Sequence, residues 1–227
     1  MTETILLALI LIPCLIVAIV FHEVAHGWTA LALGDPTAKE QRRLSLNPIR
    51  HVDPVGTLLV PGALALFGGP IFGWAKPVPV NARRLNNPRY GMMLVAAAGP
   101  ATNILLALIG ALVVGVVLGL TGTALPEWAM TAFASFILIN AFLAFFNLLP
   151  IPPFDGSHIV GGLLPRSMAQ QWQKLQALGM LMIIVLIAAT WAFPNSGIIE
   201  NIVWPPVEWI VSQFFGIAEN IALAIGG

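Results

Sequence analysis

AIVFHEVAHGWTAL, residues 18–31, places two histidines and a glutamate inside one of the most apolar runs of the chain. The run extends from Ile5 to Leu33 and stops at Gly34 and Pro36, residues that end helices well. It exceeds the roughly 20 apolar residues that a membrane-spanning helix needs. Ionisable side chains at membrane depth are energetically costly and usually serve a function. We therefore expect a spanning helix that carries a functional site.

The composition of the whole chain is typical of a membrane protein. Of its 227 residues, 58% are hydrophobic and 9% are charged, and the mean hydropathy is +0.90. A soluble domain carries about 25% charged residues. The net charge of zero and the scattered basic residues give no nucleic-acid footprint. Cys14 is the only cysteine, which excludes an internal disulfide and a CxxC metal or redox site.

Further apolar segments predict an all-α polytopic membrane protein. The C-terminal part is the sixth apolar stretch of the chain and contains two adjacent prolines and several glutamates. An imperfect membrane span and an interfacial helix both fit it. The predicted helices are about 5–33, 91–120 and 128–149 within residues 1–165, followed by C-terminal membrane helices within 166–227, namely 175–193 and a segment of 197–227.

The segment from Pro54 to Ala75 is apolar but is broken by Pro61, Pro70 and several glycines. If it crossed the membrane, basic clusters would lie on both faces, whereas a segment that dips in and returns puts all ten Lys and Arg residues on one side. Positive charge in short loops marks the cytoplasmic side. We therefore expect a re-entrant or β-hairpin element at about 54–80, in a cell membrane protein whose N-terminus lies outside.

His22, Glu23 and His26 form the pattern H-E-x-x-H. On a helix, positions i and i+4 share a face, so both imidazoles can bind one Zn²⁺, and the glutamate beside them can act as a general base. The alternative is that these side chains pack helices together or form a proton relay. No other spacing in the chain places two imidazoles and a carboxylate at one site, so we predict a metal centre.

A catalytic zinc site typically has three protein ligands, so one more is required. Asp35 and Glu40 lie in a charged loop, where we expect them to be solvated. His51 and Asp53 are close enough to consider, and for His51 we expect a place near the substrate or in a polar network. His158 is a competing ligand, although a supporting or packing role fits it better.

Asp155 is the predicted third ligand. It lies in NLLPIPPFDGSHI, residues 147–159, just beyond the predicted cytoplasmic end of helix 128–149. The prolines of this stretch break the helix, and Gly156 permits a tight turn that can direct the carboxylate inward. The helix at 5–33 ends on the same side, so Asp155 can meet the two histidines without crossing the membrane.

Three motifs together resemble the site-2 protease family of intramembrane zinc metalloproteases. The family has two characteristic motifs, H-E-x-x-H on one membrane helix and N-x-x-P-x-x-x-x-D-G on a later one. The first is present at His22 to His26, and the second is intact at Asn147, Pro150, Asp155 and Gly156. The resemblance extends over residues 5–165. The motifs are HEVAHG (22–27), AAGPATN (97–103) and NLLPIPPFDG (147–156), and LSLNPIRHVDPVGT (44–57) and GWAKPVPVN (73–81) resemble the membrane-associated segments of the family.

This resemblance implies a three-helix catalytic core with one Zn²⁺ per chain, within the membrane and opening toward the cytoplasm. It implies cleavage of the transmembrane segments of other proteins, as in regulated intramembrane proteolysis, by a compact member without a PDZ insertion. It also implies that Asn147 supports the zinc site or the developing oxyanion, although hydrogen bonding between helices is an equal alternative. A membrane-embedded regulator is a candidate partner, and the oligomeric state stays open.

Two pairs of residues in the predicted helix 91–120, one in its first half and one in its second half, suggest close helix contacts. We expect Gly99-Pro100 to allow close packing and Asn103 to hydrogen-bond the helix that carries His22. Gly115-x-x-x-Gly119 fits a helix-contact motif.

The stretch WAKPVPVNARRL, residues 74–85, is expected to line the substrate path. Lys76, Val78 and Val80 alternate with prolines that suit an edge position. An unwound substrate needs hydrogen-bond partners, which an exposed strand edge provides.

Two other functions use the same residues. An ion or metal transporter would need the intramembrane His, Glu and Asp side chains for flux without cutting any peptide bond. A catalytically idle relative would act as a binding module. A three-ligand site favours tight metal binding over passage, and the intact motifs argue against an idle protein.

Overall fold

Long apolar helices dominate the structure, a computed structural model that describes residues 2–60, 74–122, 125–179, 181–182, 185, 189, 197 and 201–226. No β-strand occurs within these residues. The helices are α1 (Thr2–Ala32), α2 (Thr37–Glu40), α3 (Pro88–Thr121), α4 (Glu127–Asn147), α5 (Asp155–Leu163), α6 (Arg166–Gln176) and α7 (Trp204–Gly226). Short turns of 3₁₀ or π type lie at Pro48–His51, Pro54–Leu59 and Ala82–Arg84.

Four helices in the described part of the chain, α1, α3, α4 and α7, are long and apolar enough to cross a membrane. The 31 residues of α1 give a length of about 46 Å at 1.5 Å per residue, against a hydrocarbon core of about 30 Å. These helices confirm the prediction of an all-α polytopic membrane protein. Much of the segment predicted to span at 175–193 lies outside the described residues, whereas α7 provides a candidate span within 197–227.

The ends of α3 follow from local sequence. The side chain of Asn87 accepts a hydrogen bond from an amide of the first turn, and Pro88 occupies the first helical position, where its missing N–H costs nothing. At the other end Gly122 adopts a left-handed conformation with φ 60° and closes the helix. Gly34, with φ 103°, ends the turn after α1 in the same way.

Helix α3 lies at the centre and contacts α1, α4, α5 and α7. With α4 and α7 it forms a buried apolar cluster of Ala107, Ala111, Val114, Ile137, Phe214 and Ala218. A Cβ added at Gly115 would lie 2.6 Å from the backbone oxygen of Ala218, and one at Gly119 would lie 2.7 Å from Cβ of Ile225. The predicted contact at the Gly115 and Gly119 pair is thereby confirmed, with α7 as its partner.

The predicted re-entrant segment begins with the π-helical turn Pro54–Leu59, which Asp53 caps by accepting two amide hydrogen bonds. Residues 61–73 of this segment lie outside the described residues, so its return through the membrane stays a prediction. The chain from Trp74 to Asn81 forms neither a helix nor a strand. The prolines at 77 and 79 remove two of the donors that a strand ladder needs.

Gly115→Ala should destabilise the protein because its new methyl group meets the backbone of α7. We expect a loss of about 1–3 kcal/mol, as for other overpacked positions, measured by thermal unfolding in detergent. Gly216→Ala in α7 is the matched control because nothing lies within 4 Å of its added Cβ. Equal stability of the two variants would contradict the close α3–α7 contact.

Candidate metal centre

The structure brings together His22 and His26 of α1 and Asp155, the first residue of α5. Nε2 of His22 lies 3.1 Å and Nε2 of His26 lies 3.4 Å from Oδ2 of Asp155. Both histidines are buried and Asp155 is partly buried. Among the described residues, these three form the group whose ligand atoms all lie within 4.8 Å of one another.

Hydrogen bonds on the far side of each ring determine which nitrogen faces the centre. Nδ1 of His22 lies 2.6 Å from Oδ1 of Asn103, and Nδ1 of His26 lies 2.7 Å from the carbonyl oxygen of Val95. Because a carbonyl oxygen only accepts hydrogen bonds, each Nδ1 carries the proton in the neutral ring. Each Nε2 therefore presents a lone pair, the tautomer typical of metal-bound histidines that donate their other N–H.

This arrangement fits a zinc ion. Oδ2 of Asp155 is buried and has no hydrogen-bond partner within the described part of the chain, although two ring nitrogens are close to it. Two nitrogen lone pairs and a carboxylate oxygen repel one another unless a cation lies between them. Zinc bonds of 2.0–2.2 Å in a tetrahedral arrangement separate ligand atoms by about 3.4 Å. Three protein ligands also leave one position open, as catalytic zinc sites do.

Gly99 allows α3 to approach the two rings. A Cβ at this position would lie 2.5 Å from Cε1 of His26 and 2.6 Å from Nε2 of His22. Any larger residue would therefore displace the imidazoles. The next residue, Pro100, is also fully buried. The predicted close packing at Gly99-Pro100 is confirmed, and it leaves room for the rings of His22 and His26.

Asn103 joins the three core helices by hydrogen bonds. Its Nδ2 donates to the carbonyl oxygen of Ala18 in α1 at 3.1 Å and to Oδ1 of Asn140 in α4 at 2.9 Å. These two donations leave Oδ1 to face His22, so the amide orientation is consistent. Asn140 in turn donates to the carbonyl of Phe136. The predicted bond between Asn103 and the His22 helix is confirmed, and Asn140 belongs to the same network.

Asp155 reaches the histidines because the first residues of α5 pack against the backbone that follows α4. A Cβ at Gly156 would lie 2.2 Å from the carbonyl oxygen of Leu148 and 2.4 Å from that of Leu149. Glycine is required here by close approach of the backbone. The prediction that Gly156 directs Asp155 inward therefore has a different physical basis from the tight turn first expected.

Glu23 binds a backbone amide beside the centre. Its Oε2 accepts a hydrogen bond of 2.7 Å from the N–H of Val78. The side chain of Val78 is buried against α1, where its Cγ1 would lie 2.9 Å from a Cβ added at Gly27. The segment predicted to line the substrate path thus lies directly on the helix that carries His22 and His26.

Two other predicted site residues have partners of their own. Asn147 donates to the carbonyl oxygen of Leu143 in its own helix at 2.9 Å, so its support of the zinc site or of an oxyanion stays a prediction. Nδ1 of His158 lies 3.3 Å from Nε2 of Gln176 in α6. Burial lowers the pKa of His158. It is not a member of the metal-binding group.

Asp35 was expected to be solvated, and that prediction is wrong. The residue is 0% exposed, and Oδ2 accepts the N–H of Asn81 at 2.6 Å while Oδ1 accepts the N–H of Thr37 at 3.0 Å. Burial raises the pKa of Asp35, but the hydrogen bonds from Thr37 and Asn81 outweigh it and hold the pKa below its ordinary value. The spacing of Asp35 and Thr37 at the start of α2 was the available signal, because Asp side chains often bond the amide two residues on.

Glu40 and His51 lie in the same loop region. Glu40 is exposed and forms an ion pair of 2.7 Å with Arg84, in line with its expected place in solvent. His51 is 3% exposed, and its Nε2 lies 2.7 Å from the carbonyl oxygen of Ser45. It therefore belongs to a polar network, which was one of the two places expected for it.

Comparison with known proteins identifies the family. YwhC of Bacillus subtilis (strain 168) is 39% identical to the chain over 196 residues, which cover 82% of this chain and 86% of YwhC. The sequence profile of peptidase family M50 matches residues 114–189. The chain belongs to peptidase family M50, the site-2 protease family.

Two Rip2 proteins are similar to this M50 member over a smaller share of their length. Rip2 of Mycolicibacterium smegmatis is 29% identical over 187 residues, covering 76% of this chain and 64% of Rip2. Rip2 of Mycobacterium tuberculosis H37Rv is 32% identical over 141 residues, covering 62% and 52%. YwhC and both Rip2 proteins carry the name "Putative zinc metalloprotease". No solved structure shows significant similarity.

Asn103→Ala should weaken zinc binding because it removes the acceptor that orients His22. We expect the affinity for Zn²⁺ to fall by about 10–100-fold, the usual effect of losing a partner behind a metal ligand, measured by competition with a chelating dye. Asn140→Ala should have a smaller effect, because Asn140 is linked to the His22 ring only through Asn103. Unchanged affinity in Asn103→Ala would show that His22 does not depend on this bond.

Proposed function

We propose that this M50 zinc metalloprotease hydrolyses peptide bonds within or beside the transmembrane segments of other membrane proteins. The observation that carries the proposal is the convergence of His22 Nε2, His26 Nε2 and Asp155 Oδ2 next to Glu23 on an apolar helix long enough to span a membrane. The family and the names of the relatives support a zinc-dependent peptidase.

His22, His26 and Asp155 would hold the zinc ion. Bound zinc supplies Lewis-acid chemistry, in that it polarises a carbonyl group and lowers the pKa of water toward neutrality. The ligand set combines two neutral imidazoles with one carboxylate, a donor set that other zinc peptidases also use. Asn103 and the Val95 carbonyl keep both rings in the required tautomer.

Glu23 acts as the general base and later as the general acid. Its carboxylate accepts a proton from the attacking water as the new C–O bond forms, and it returns the proton to the leaving nitrogen as the C–N bond breaks. The Val78 amide holds Oε2, so that Oε1 is the oxygen that serves the water. One carboxylate thereby carries the proton through both halves of the hydrolysis.

The substrate class follows from where the site lies. His22, Glu23 and His26 belong to a candidate membrane span, so a scissile bond must reach them at membrane depth. A transmembrane segment can do so only where its helix is unwound, because helical peptide groups are engaged in their own hydrogen bonds. We therefore propose membrane-spanning proteins as substrates, in the manner of regulated intramembrane proteolysis.

We propose that the chain at 74–81 lies beside the substrate path. Lys76 is exposed and Val80 is partly exposed, so both are available to a substrate, whereas the Val78 side chain packs on α1. The amides of Lys76, Val78 and Asn81 already donate to His51, Glu23 and Asp35, respectively. We propose that this segment offers a substrate mainly carbonyl oxygens.

Glu23→Gln should abolish cleavage while zinc stays bound, because glutamine cannot carry the proton. The measurement is cleavage of co-expressed single-span membrane proteins, with zinc content determined on the purified variants. His22→Ala, His26→Ala and Asp155→Ala should each lose zinc as well as activity. Undiminished cleavage by Glu23→Gln, or full zinc retention in all three ligand variants, would refute the proposed site.

We also propose a cell membrane protein with its N-terminus outside and its site open to the cytoplasm, as the basic residues of the loops suggest. In a Cys14→Ser background, Thr121→Cys should react with a membrane-impermeant maleimide in intact cells. Gln41→Cys should react only after permeabilisation. The reverse pattern would invert the proposed orientation.

A further inference from the structure

The chain from Lys76 to Asn81, termed here the anchored segment, is held beside the candidate metal centre by polar contacts. Its N–H groups at Lys76 and Asn81 bond the His51 carbonyl at 2.9 Å and Asp35 Oδ2 at 2.6 Å. Between these two anchors, the N–H of Val78 bonds Glu23. The position of the Val78 amide relative to Glu23 is thus set by Asp35 and His51, which lie in the loops that follow α1.

Arg43 supplies the third anchor. Its Nη2 donates to the carbonyl oxygen of Lys76 at 2.8 Å and lies 3.4 Å from that of Pro77, at the outer limit of a hydrogen bond. The Pro77 carbonyl and the Val78 N–H belong to one peptide group, and in a trans peptide they point in opposite directions. A cation therefore lies at the oxygen end of this group, and the carboxylate of Glu23 lies at its N–H end.

Stability alone does not account for Arg43. The residue is 8% exposed, makes no ion pair with a carboxylate among the described residues, and leaves its Nε buried without a hydrogen-bond partner. Burying a charge without a counter-ion is costly. The preceding residue, Arg42, also adopts a positive φ of 54°, which is uncommon outside glycine. The loop thus accepts unfavourable features to place one guanidinium at these carbonyls.

We propose that Arg43 is a positioning residue for Glu23 that acts through the Pro77–Val78 peptide group. The inference rests on the proposed function of Glu23 as the proton carrier. The guanidinium fixes the peptide and aligns its dipole, with the N–H end toward the carboxylate. Pro77 and Pro79 have no N–H, so Val78 is the one donor between Lys76 and Val80. Loss of Arg43 frees this peptide, and Glu23 then rotates away from the orientation that serves the attacking water.

The kinetic test compares Arg43→Met with Arg43→Lys and with Arg83→Met, an exposed arginine used as the matched control. In the purified full-length protein, Arg43→Met should lower kcat by about 100-fold, the cost of misplacing a catalytic group by about 1 Å. KM and zinc content should stay near the wild-type values. Arg43→Lys should recover part of kcat because an ammonium can still donate to the Lys76 carbonyl. Arg83→Met should match the wild type.

A second readout is independent of catalysis. Amide hydrogen exchange of peptides containing residues 76–81 should accelerate in Arg43→Met and in Glu23→Ala, because each change removes one side of the same peptide contact. The double variant should exchange little faster than the faster single variant. Arg83→Met should leave the exchange unchanged.

The outcomes separate this inference from the proposed function. Wild-type kcat or wild-type exchange in Arg43→Met overturns the positioning role, as does a loss of zinc or an equal rise in KM, which would indicate a general structural defect. If the wild-type protein cleaves no membrane substrate, the proposed function fails. In that case the coupled exchange of Arg43→Met and Glu23→Ala still decides whether Arg43 positions Glu23.

Discussion

Two ring nitrogens and one carboxylate oxygen, each with a lone pair directed at the same point, impose the main constraint on this fold. Nε2 of His22 and of His26 lie 3.1 and 3.4 Å from Oδ2 of Asp155. At these distances the lone pairs of the three atoms repel one another unless a cation lies between them. The helices around it must therefore hold the three ligands from behind. Asn103 and the Val95 carbonyl do so for the histidines, and the seating of α5 beneath α4 does so for Asp155. The small size of Gly99 and Gly156 follows from the same requirement, since any side chain there would meet the ligands or the α4 carbonyls.

The helices are joined by two different physical means. Around the metal centre, buried amides connect α1, α3 and α4 through Asn103 and Asn140, and such polar contacts are strong where water is excluded. Between α3 and α7, the contact instead consists of close backbone approach at Gly115 and Gly119 and an apolar cluster. Helices α1, α3 and α4 are thus held in a specific geometry by hydrogen bonds, whereas α7 is held to α3 by close apolar packing.

The anchored segment connects the loop after α1 to the proposed general base. Asp35 and Arg43 hold the backbone of this segment, and the Val78 amide in turn holds Glu23. A carboxylate that carries protons needs a defined orientation more than it needs strong binding. A single N–H donor, fixed by charged groups outside the centre, provides such an orientation and leaves the second oxygen for water.

Residue spacing along single helices predicted much of this protein. His22, Glu23 and His26 share one turn of α1, and the apolar lengths of α1, α3 and α4 predicted membrane helices, because both properties follow from the 3.6-residue period and the bilayer thickness. The Asp35–Thr37 spacing indicated a local hydrogen bond, but the burial of Asp35 was missed because its other donor, the N–H of Asn81, lies 46 residues away. Arg43 was missed for the same reason, since its partners lie 33 and 34 residues away. Helical geometry is set within a few residues, whereas contacts between distant segments depend on how the whole chain packs, and so the surroundings of the metal centre required the folded structure.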